Sequence, residues 1–232
     1  MIIQSGAAAP PFKLESVQGS IVSLADYKGK SNVLLWFSRG FACAFCRAYM
    51  TQLQSAASDF RAQQTEVIQV SANVLTRARQ YFQTSPLIFP YLCDPEKRLY
   101  SAYGLEDRGL VEAGKSNLGG AVYAAQTGQF GSISQSMTSD VLNGAFLQRL
   151  HHYALTAVEQ GLILIDKEGI VRWSKALGPL ENITDNKTLL ETIARTCPPT
   201  RSSAANPSLS IAKADTDKPI GVATDVTLPR SA

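Results

Sequence analysis

The fold can be predicted from two adjoining segments, Val33-Leu-Leu-Trp-Phe37 and Phe41-Ala-Cys-Ala-Phe-Cys-Arg47. The first segment is short, apolar and not alternating, which is typical of a central strand that is buried on both faces. Beyond the second segment the apolar residues recur at helical spacing, at Tyr49, Met50, Leu53, Ala56, Ala57 and Phe60. The sequence therefore predicts a buried strand, a turn that carries two cysteines, and an amphipathic helix.

The flanking sequence extends this unit into an α/β fold. Val67-Ile-Gln-Val70 predicts a second strand, so that strand, cysteine turn, helix and strand form a βαβ unit with parallel strands and a right-handed crossover. A strand pair is expected over 12–24, and Gly161-Leu-Ile-Leu-Ile-Asp166 with Ile170-Val-Arg-Trp173 predicts a β-hairpin. We also expect a strand at the sheet edge over 89–93 and helices over 77–84, 95–103 and 187–195.

The composition divides the chain into a domain over 1–197 and a tail over 198–232. Within the domain, the segment 106–158 is rich in Gly, Ser, Gln and Asn, and its length indicates an insertion. The tail is interrupted by prolines, has no aromatic residue and is rich in Ser, Ala, Thr and Asp. Because such a segment cannot bury enough apolar area to offset the entropy of ordering it, we expect it to be disordered.

The bulk composition excludes several classes of function. A net charge of +3, with no basic run interleaved with aromatic residues, gives no support for a nucleic-acid partner. No window approaches the roughly 18 apolar residues of a membrane span, so we expect no membrane partner. The first residues, Met1-Ile-Ile-Gln-Ser-Gly6, do not have the pattern of a signal peptide, and we predict a cytoplasmic protein.

Cys43 and Cys46 are the candidate catalytic residues. A cysteine at the start of a helix is favoured as a thiolate by the helix dipole and by unpaired N–H groups. No acidic residue lies between Asp26 and Asp59, whereas Arg39 and Arg47 flank the pair, so both arginines are candidates for stabilising the thiolate. The spacing of the pair lets one sulfur resolve an oxidised state of the other. The spacing therefore predicts a cycle in which the cysteine pair alternates between the dithiol and the disulfide.

The other metal and thiol candidates have simpler explanations. A structural zinc site needs four ligands, and the adjacent His151 and His152 point in different directions on a helix, which indicates a solvated polar face. Cys93 follows apolar residues of an expected strand and is interpreted as a small buried hydrophobe. Cys197 borders the tail, and we favour a structural role over an exposed or resolving thiol. No metal and no organic cofactor is expected.

Several motifs outside the cysteine turn resemble the alkyl hydroperoxide reductase and thiol-specific antioxidant (AhpC/TSA) group, the peroxiredoxin-like branch of the thioredoxin superfamily. The resemblance covers roughly residues 6 to 175 and is carried by Gly6-Ala-Ala-Ala-Pro-Pro-Phe12, Leu24-Ala-Asp-Tyr-Lys-Gly29, Val33–Phe37, Asp94-Pro95 through Ala102-Tyr-Gly-Leu105, and the late hairpin. It implies a thioredoxin-like fold with a central mixed sheet flanked by helices. It also implies an antioxidant thiol-dependent oxidoreductase that serves cell redox homeostasis.

The cysteine turn itself is similar to the thioredoxin-type CxxC site, and two routes remain open. For hydroperoxides, Cys46 would attack and Cys43 would resolve; in that alignment Cys43 and Arg39 replace the Thr and Pro of a standard peroxiredoxin. For protein disulfides, Cys43, the more exposed cysteine of such motifs, would attack and Cys46 would close the internal disulfide. The flanking motifs favour the hydroperoxide route. Electrons would come from thioredoxin, glutathione or a similar thiol, and a non-enzymatic redox sensor or binding module is the third alternative.

Overall fold

The computed structural model describes residues 1–105, 158–177 and 184–198, which belong to one compact unit, Met1–Pro199. The predicted insertion over 106–158, except for its last residue, and the predicted tail beyond residue 198 lie outside the described residues, as do His151 and His152. The domain boundaries therefore stay a prediction. In the described ranges no helix combines the length and the apolar character that crossing a membrane requires.

A five-stranded mixed sheet forms the centre of the fold. Its middle strand, β3 (Asn32–Ser38), pairs in parallel with β4 (Thr65–Ser71) and antiparallel with β6 (Gln160–Ile165). The edge strands are β5 (Tyr91–Cys93), parallel to β4, and β7 (Val171–Leu177), antiparallel to β6. The order β5-β4-β3-β6-β7 confirms the parallel strand pair, the late hairpin and the edge position of the strand that ends at Cys93.

The remaining elements cover the faces and edges of this sheet. An antiparallel pair, β1 (Lys13–Glu15) and β2 (Ile21–Ser23), precedes β3 and confirms the expected strand pair over 12–24. A single 3₁₀ turn spans Leu24–Tyr27. The described helices are α1 (Ala44–Ser55), α2 (Ala57–Ala62), α3 (Leu75–Phe82), α4 (Arg98–Ala102) and α5 (Asn186–Thr196).

The core lies on both faces of β3, whose seven residues are all buried. Side chains alternate across a strand, so Leu34 and Trp36 point to one face and Leu35 and Phe37 to the other. The first face packs against residues of α1, α2, α3 and α5, including Cys46, and against Cys43 in the preceding loop. The prediction of a central strand buried on both faces is confirmed, and the cysteine turn is anchored in the larger of the two clusters.

Three helices differ from the predicted ranges, and α3, expected over 77–84, begins and ends two residues earlier. The helix expected through Phe60 is interrupted at Ala56, where φ is −106° and ψ is 13°, so that α1 and α2 are separate. The helix expected from Pro95 begins only at Arg98, because Lys97 takes a left-handed conformation with φ 57°. The Asp94 carboxylate accepts hydrogen bonds from the backbone N–H groups of Arg98 (3.1 Å) and Leu99 (2.7 Å), which fixes the later start.

Candidate active site

Cys43 occupies the N-cap position of α1, directly after the loop that leaves β3. Its backbone is extended, with φ −80° and ψ 119°, and its Sγ atom accepts a hydrogen bond from the backbone N–H of Cys46 at 3.4 Å. In most helices a side-chain oxygen fills this position, and the first N–H groups favour a negatively charged partner. The cap therefore presents the sulfur to the donors that stabilise a thiolate.

The loop before Cys43 is held by polar contacts at the carboxyl ends of β3 and β4. The backbone N–H of Gly40 donates to Ser38 Oγ at 3.1 Å, and Gln69 Nε2 donates to the same oxygen at 2.7 Å. Gly40 has φ +84°, and a Cβ atom at this position would lie 1.8 Å from Asn73 Oδ1. The turn into the cysteine pair thus requires glycine for both its conformation and its close approach to a neighbour.

The two predicted arginines lie at the site, and both belong to the positively charged surroundings of Cys43. Arg39 is buried, and its Nε donates to the backbone oxygen of Val158 at 3.5 Å. Arg47 Nη1 donates to the backbone oxygens of Phe41 (2.9 Å) and Ala42 (3.1 Å). Arg47 therefore holds the loop as well as contributing charge.

The two thiols have opposite acidities. Hydrogen bonding to Cys46 comes first among the effects that lower the pKa of Cys43 to about 6, and the charges of Arg39 and Arg47 add to it against the opposing effect of burial. Burial raises the pKa of Cys46 well above its ordinary value, and hydrogen bonding to Cys43 raises it further. The lower pKa of the pair therefore belongs to Cys43, which is the thiol that loses its proton first as the pH rises.

Both cysteines of the pair are buried. Cys43 was expected to be the more exposed of the two, and its exposed fraction is 2% against 0% for Cys46, so the difference is small. The reason is that both belong to the apolar cluster between the sheet and the helices on that face. What distinguishes the two sulfurs is their hydrogen bonding.

A neighbour of Cys46 that the sequence did not suggest is Gln160, the first residue of β6. Cys46 Sγ donates to Gln160 Oε1 at 3.3 Å, and both residues are buried. The hairpin was expected to begin at Gly161, which left Gln160 in the preceding loop. The antiparallel pairing of β6 with β3 is the signal that could have found it, because it brings the start of one strand beside the end of the other.

The other two cysteines lie in the core. Cys93 ends β5 and is buried, and burial raises its pKa to about 12. Cys197 follows the last residue of α5 and is also buried, which raises its pKa. Both positions agree with the structural roles expected for them. Within residues 1–105, 158–177 and 184–198 no three His, Cys, Asp or Glu side chains are grouped closely enough to hold a metal ion.

The model of the AhpC/TSA family matches residues 5–174. The chain belongs to the AhpC/TSA family. This match covers β1 to β7 except for the end of β7, and it includes the cysteine turn, in agreement with the resemblance seen in the sequence.

Individual relatives of this AhpC/TSA chain are distant. A Mycobacterium tuberculosis protein that is named as a peroxiredoxin is 28% identical over 99 residues, which are 43% of this chain. The chain spans only 62% of that relative's length. The thiol-disulfide oxidoreductase ResA of Bacillus subtilis is 28% identical over 142 residues, which are 61% of this chain and 75% of ResA. The reduced 2-Cys peroxiredoxin of Plasmodium vivax has the same fold, with a TM-score of 0.55, 18% identity, and coverage of 82% of this chain and 94% of that one.

Proposed function

We propose that this chain is a thiol-dependent oxidoreductase that cycles between the Cys43/Cys46 dithiol and an internal disulfide, with Cys43 as the attacking thiolate. The observation that carries the proposal is the N-cap position of the Cys43 sulfur, which accepts the Cys46 backbone N–H and has a pKa lowered to about 6. The thiolate is the nucleophile in thiol chemistry. At neutral pH only one sulfur of the pair is therefore ready to attack.

Thiol–disulfide exchange is the reaction that this order supports best. The Cys43 thiolate attacks one sulfur of a substrate disulfide, forms a mixed disulfide and releases the other sulfur as a thiolate, which takes up a proton. Cys46 then attacks Cys43 Sγ, gives up its proton and releases the second substrate sulfur as a thiol. Two electrons pass from the cysteine pair to the substrate, and an external thiol such as thioredoxin or glutathione would reduce the internal disulfide again.

Hydroperoxide reduction by the same Cys43 thiolate is the second candidate. The observation that favours it is the 2% exposure of Cys43, because a buried sulfur is reached more easily by a small peroxide than by a protein disulfide. Attack on the peroxide breaks the O–O bond and leaves an alcohol and a Cys43 sulfenic acid, which Cys46 converts to a disulfide with loss of water. The order with Cys46 attacking would need a thiolate on the sulfur whose pKa is raised by burial.

Parallel assays on one set of variants separate these possibilities. Disulfide reduction and hydroperoxide consumption are measured with a thiol reductant in excess for the wild type, Cys43→Ser, Cys46→Ser and the control Cys93→Ser. We expect Cys43→Ser to be inactive in both assays and Cys46→Ser to accumulate a mixed disulfide or sulfenic acid on Cys43, detected by mass spectrometry. A sulfenic acid formed on Cys46 in Cys43→Ser would reverse the order, and a wild type that oxidises once without turnover would identify a sensor.

A further inference from the structure

Gln160 is hydrogen bonded to Cys46, the resolving thiol in the proposed order of attack. In the antiparallel pairing of β6 with β3, Gly161 is opposite Phe37, so Gln160 lies beside the end of β3 where the cysteine loop leaves the sheet. Its Oε1 atom is 3.3 Å from Cys46 Sγ, and the two side chains are 7% and 0% exposed. A buried hydrogen bond between a strand and the first turn of α1 fixes the direction of the Cys46 thiol.

The single proton of the Cys46 thiol has two acceptors within reach, the Cys43 sulfur and Gln160 Oε1. A thiolate on Cys43 is the stronger acceptor, because charge-assisted hydrogen bonds are stronger than neutral ones. Once Cys43 is bonded to a substrate sulfur it has lost that charge, and the neutral amide oxygen of Gln160 becomes the better partner. The charged and titratable groups that also act on Cys46 are Arg39, Tyr91 and Tyr100.

We propose that Gln160 is a positioning residue for the resolving step, which holds the Cys46 thiol in place while Cys43 carries the substrate. The inference rests on the proposed order in which Cys43 attacks first. In the step that it assists, the Cys46 Sγ–Cys43 Sγ bond forms and the bond between Cys43 Sγ and the substrate sulfur breaks. The electron pair leaves with the substrate sulfur, which takes up the Cys46 proton, so that Gln160 is unchanged at the end.

The test uses dithiobis(nitrobenzoate), an aromatic disulfide whose thiolate product, thionitrobenzoate, absorbs visible light. Attack by Cys43 releases one product molecule in a phase that depends on reagent concentration, and attack by Cys46 on the mixed disulfide releases a second in a phase that does not. Gln160→Met keeps the length of the side chain without the amide oxygen. We expect it to leave the first phase within about twofold and to slow the second about fivefold, the effect of one lost hydrogen bond.

The pH dependence of the first phase distinguishes positioning from mere support of the fold. In Gln160→Met the Cys46 proton has only the Cys43 sulfur as acceptor, so the pH midpoint of the first phase should move down. Loosened packing would expose both thiols and move that midpoint up, towards the value of an ordinary cysteine. The matched control is Gln52→Met on α1, where the side-chain amide donates a hydrogen bond to the Thr184 backbone oxygen at 3.4 Å. Neither phase should change in this variant.

A second variant decides the matter if Gln160→Met does not fold. In Gln160→Glu a carboxylate of similar size can take the Cys46 proton. The second phase should therefore accelerate as that carboxylate ionises with rising pH. The pH profile of the wild type should lack this added step. A second phase within twofold of the wild type in Gln160→Met, a rising midpoint, or no added pH step in Gln160→Glu would overturn the inference. Peptide mapping that finds the first thionitrobenzoate on Cys46 would instead overturn the proposed order of attack.

Discussion

Two thiols lie at the carboxyl ends of parallel strands of the same sheet, and their pKa values are shifted in opposite directions. Cys43 comes after β3, at the start of α1, and its pKa is lowered to about 6; Cys93 ends β5, shortly before α4, and its pKa is raised to about 12. Both side chains are buried, so burial alone does not distinguish them. The difference lies in the groups around each sulfur, because Cys43 is hydrogen bonded to Cys46 and lies near Arg39 and Arg47, whereas burial dominates at Cys93.

At α1 the cap is the cysteine itself, whose sulfur accepts the Cys46 N–H. At α4 the N-cap residue is Lys97, and the Asp94 carboxylate, next to Cys93, accepts the N–H groups of Arg98, Leu99 and Tyr100. A carboxylate bound there leaves the Cys93 thiol with burial as the main effect on its pKa. The comparison indicates that the groups that contact each sulfur, and not the burial that both share, separate the acidities of the two thiols.

The largest expected effect is on activity. Cys43→Ser should lower the rate of disulfide or hydroperoxide reduction by at least about a thousandfold, because it removes the nucleophile. Cys93→Ser removes a buried thiol of almost the same size and should leave the rate within about twofold. Steady-state rates of the two purified variants at pH 7 provide the measurement. Comparable losses in both variants would mean that the cap position does not select the nucleophile.

The next largest effect is on the rate of alkylation by iodoacetamide, which peptide mapping measures separately for each cysteine. As the pH rises through about 6 the Cys43 thiol loses its proton, so its alkylation rate should increase and then level off above pH 7. At pH 7 roughly one Cys93 thiol in 10⁵ is ionised, and even with its greater intrinsic nucleophilicity Cys93 should react about a hundredfold more slowly than Cys43.

The control for this titration is Cys46→Ala. Hydrogen bonding to Cys46 contributes most to the lowered pKa of Cys43, so its removal should move the alkylation midpoint up. A midpoint that stays near pH 6 would assign the acidity to the arginines and the helix start instead. The Cys93 rate should be unaffected in this variant.

The sequence was sufficient for the parts of the site that depend on local pattern. An apolar strand, a CxxC turn and a helical repeat are all contiguous, so the positions of Cys43 and Cys46 between β3 and α1 could be predicted, together with the nearby Arg39 and Arg47. The central strand is buried as expected because every residue of Val33–Phe37 is apolar. These features need no knowledge of which distant segments meet.

The parts that depend on pairing between distant segments could not be predicted. Gln160 reaches Cys46 only because β6 pairs antiparallel with β3, across a separation of more than a hundred residues. The late start of α4 has a similar cause, since Asp94 caps the helix from beyond Pro95 and overrides the preference of proline for a first helical turn. The preference for Cys46 as the attacking thiol in hydroperoxide reduction stays a prediction, and the proposed order differs from it because flanking motifs carry no information on hydrogen bonding to sulfur.

A smaller effect, on the free energy of unfolding, is expected at Asn73, which contacts Tyr91 of β5 and lies against Gly40 in the loop after β3. Asn73 Oδ1 accepts the hydroxyl of Tyr91 at 2.6 Å and also lies where a Cβ on Gly40 would have to go. Gly40→Ala should lower the free energy of unfolding by about 2–3 kcal/mol, from the positive φ and the clash together. Chemical denaturation measures the loss. Adding Asn73→Ala should recover part of it by removing the clash, whereas an additive loss in the double variant would contradict this close approach.

The smallest effect is expected from the cap of α4. Asp94→Ala leaves three backbone N–H groups without their carboxylate partner and should lower the free energy of unfolding by about 1–2 kcal/mol in chemical denaturation. Asp94→Ser keeps a capping oxygen and should lose less. Because the carboxylate belongs to the other strand end, neither variant should move the alkylation midpoint of Cys43. A shift of that midpoint would show that the two strand ends are electrostatically coupled, and the acidity of Cys43 could then no longer be assigned to Cys46 and the two nearby arginines alone.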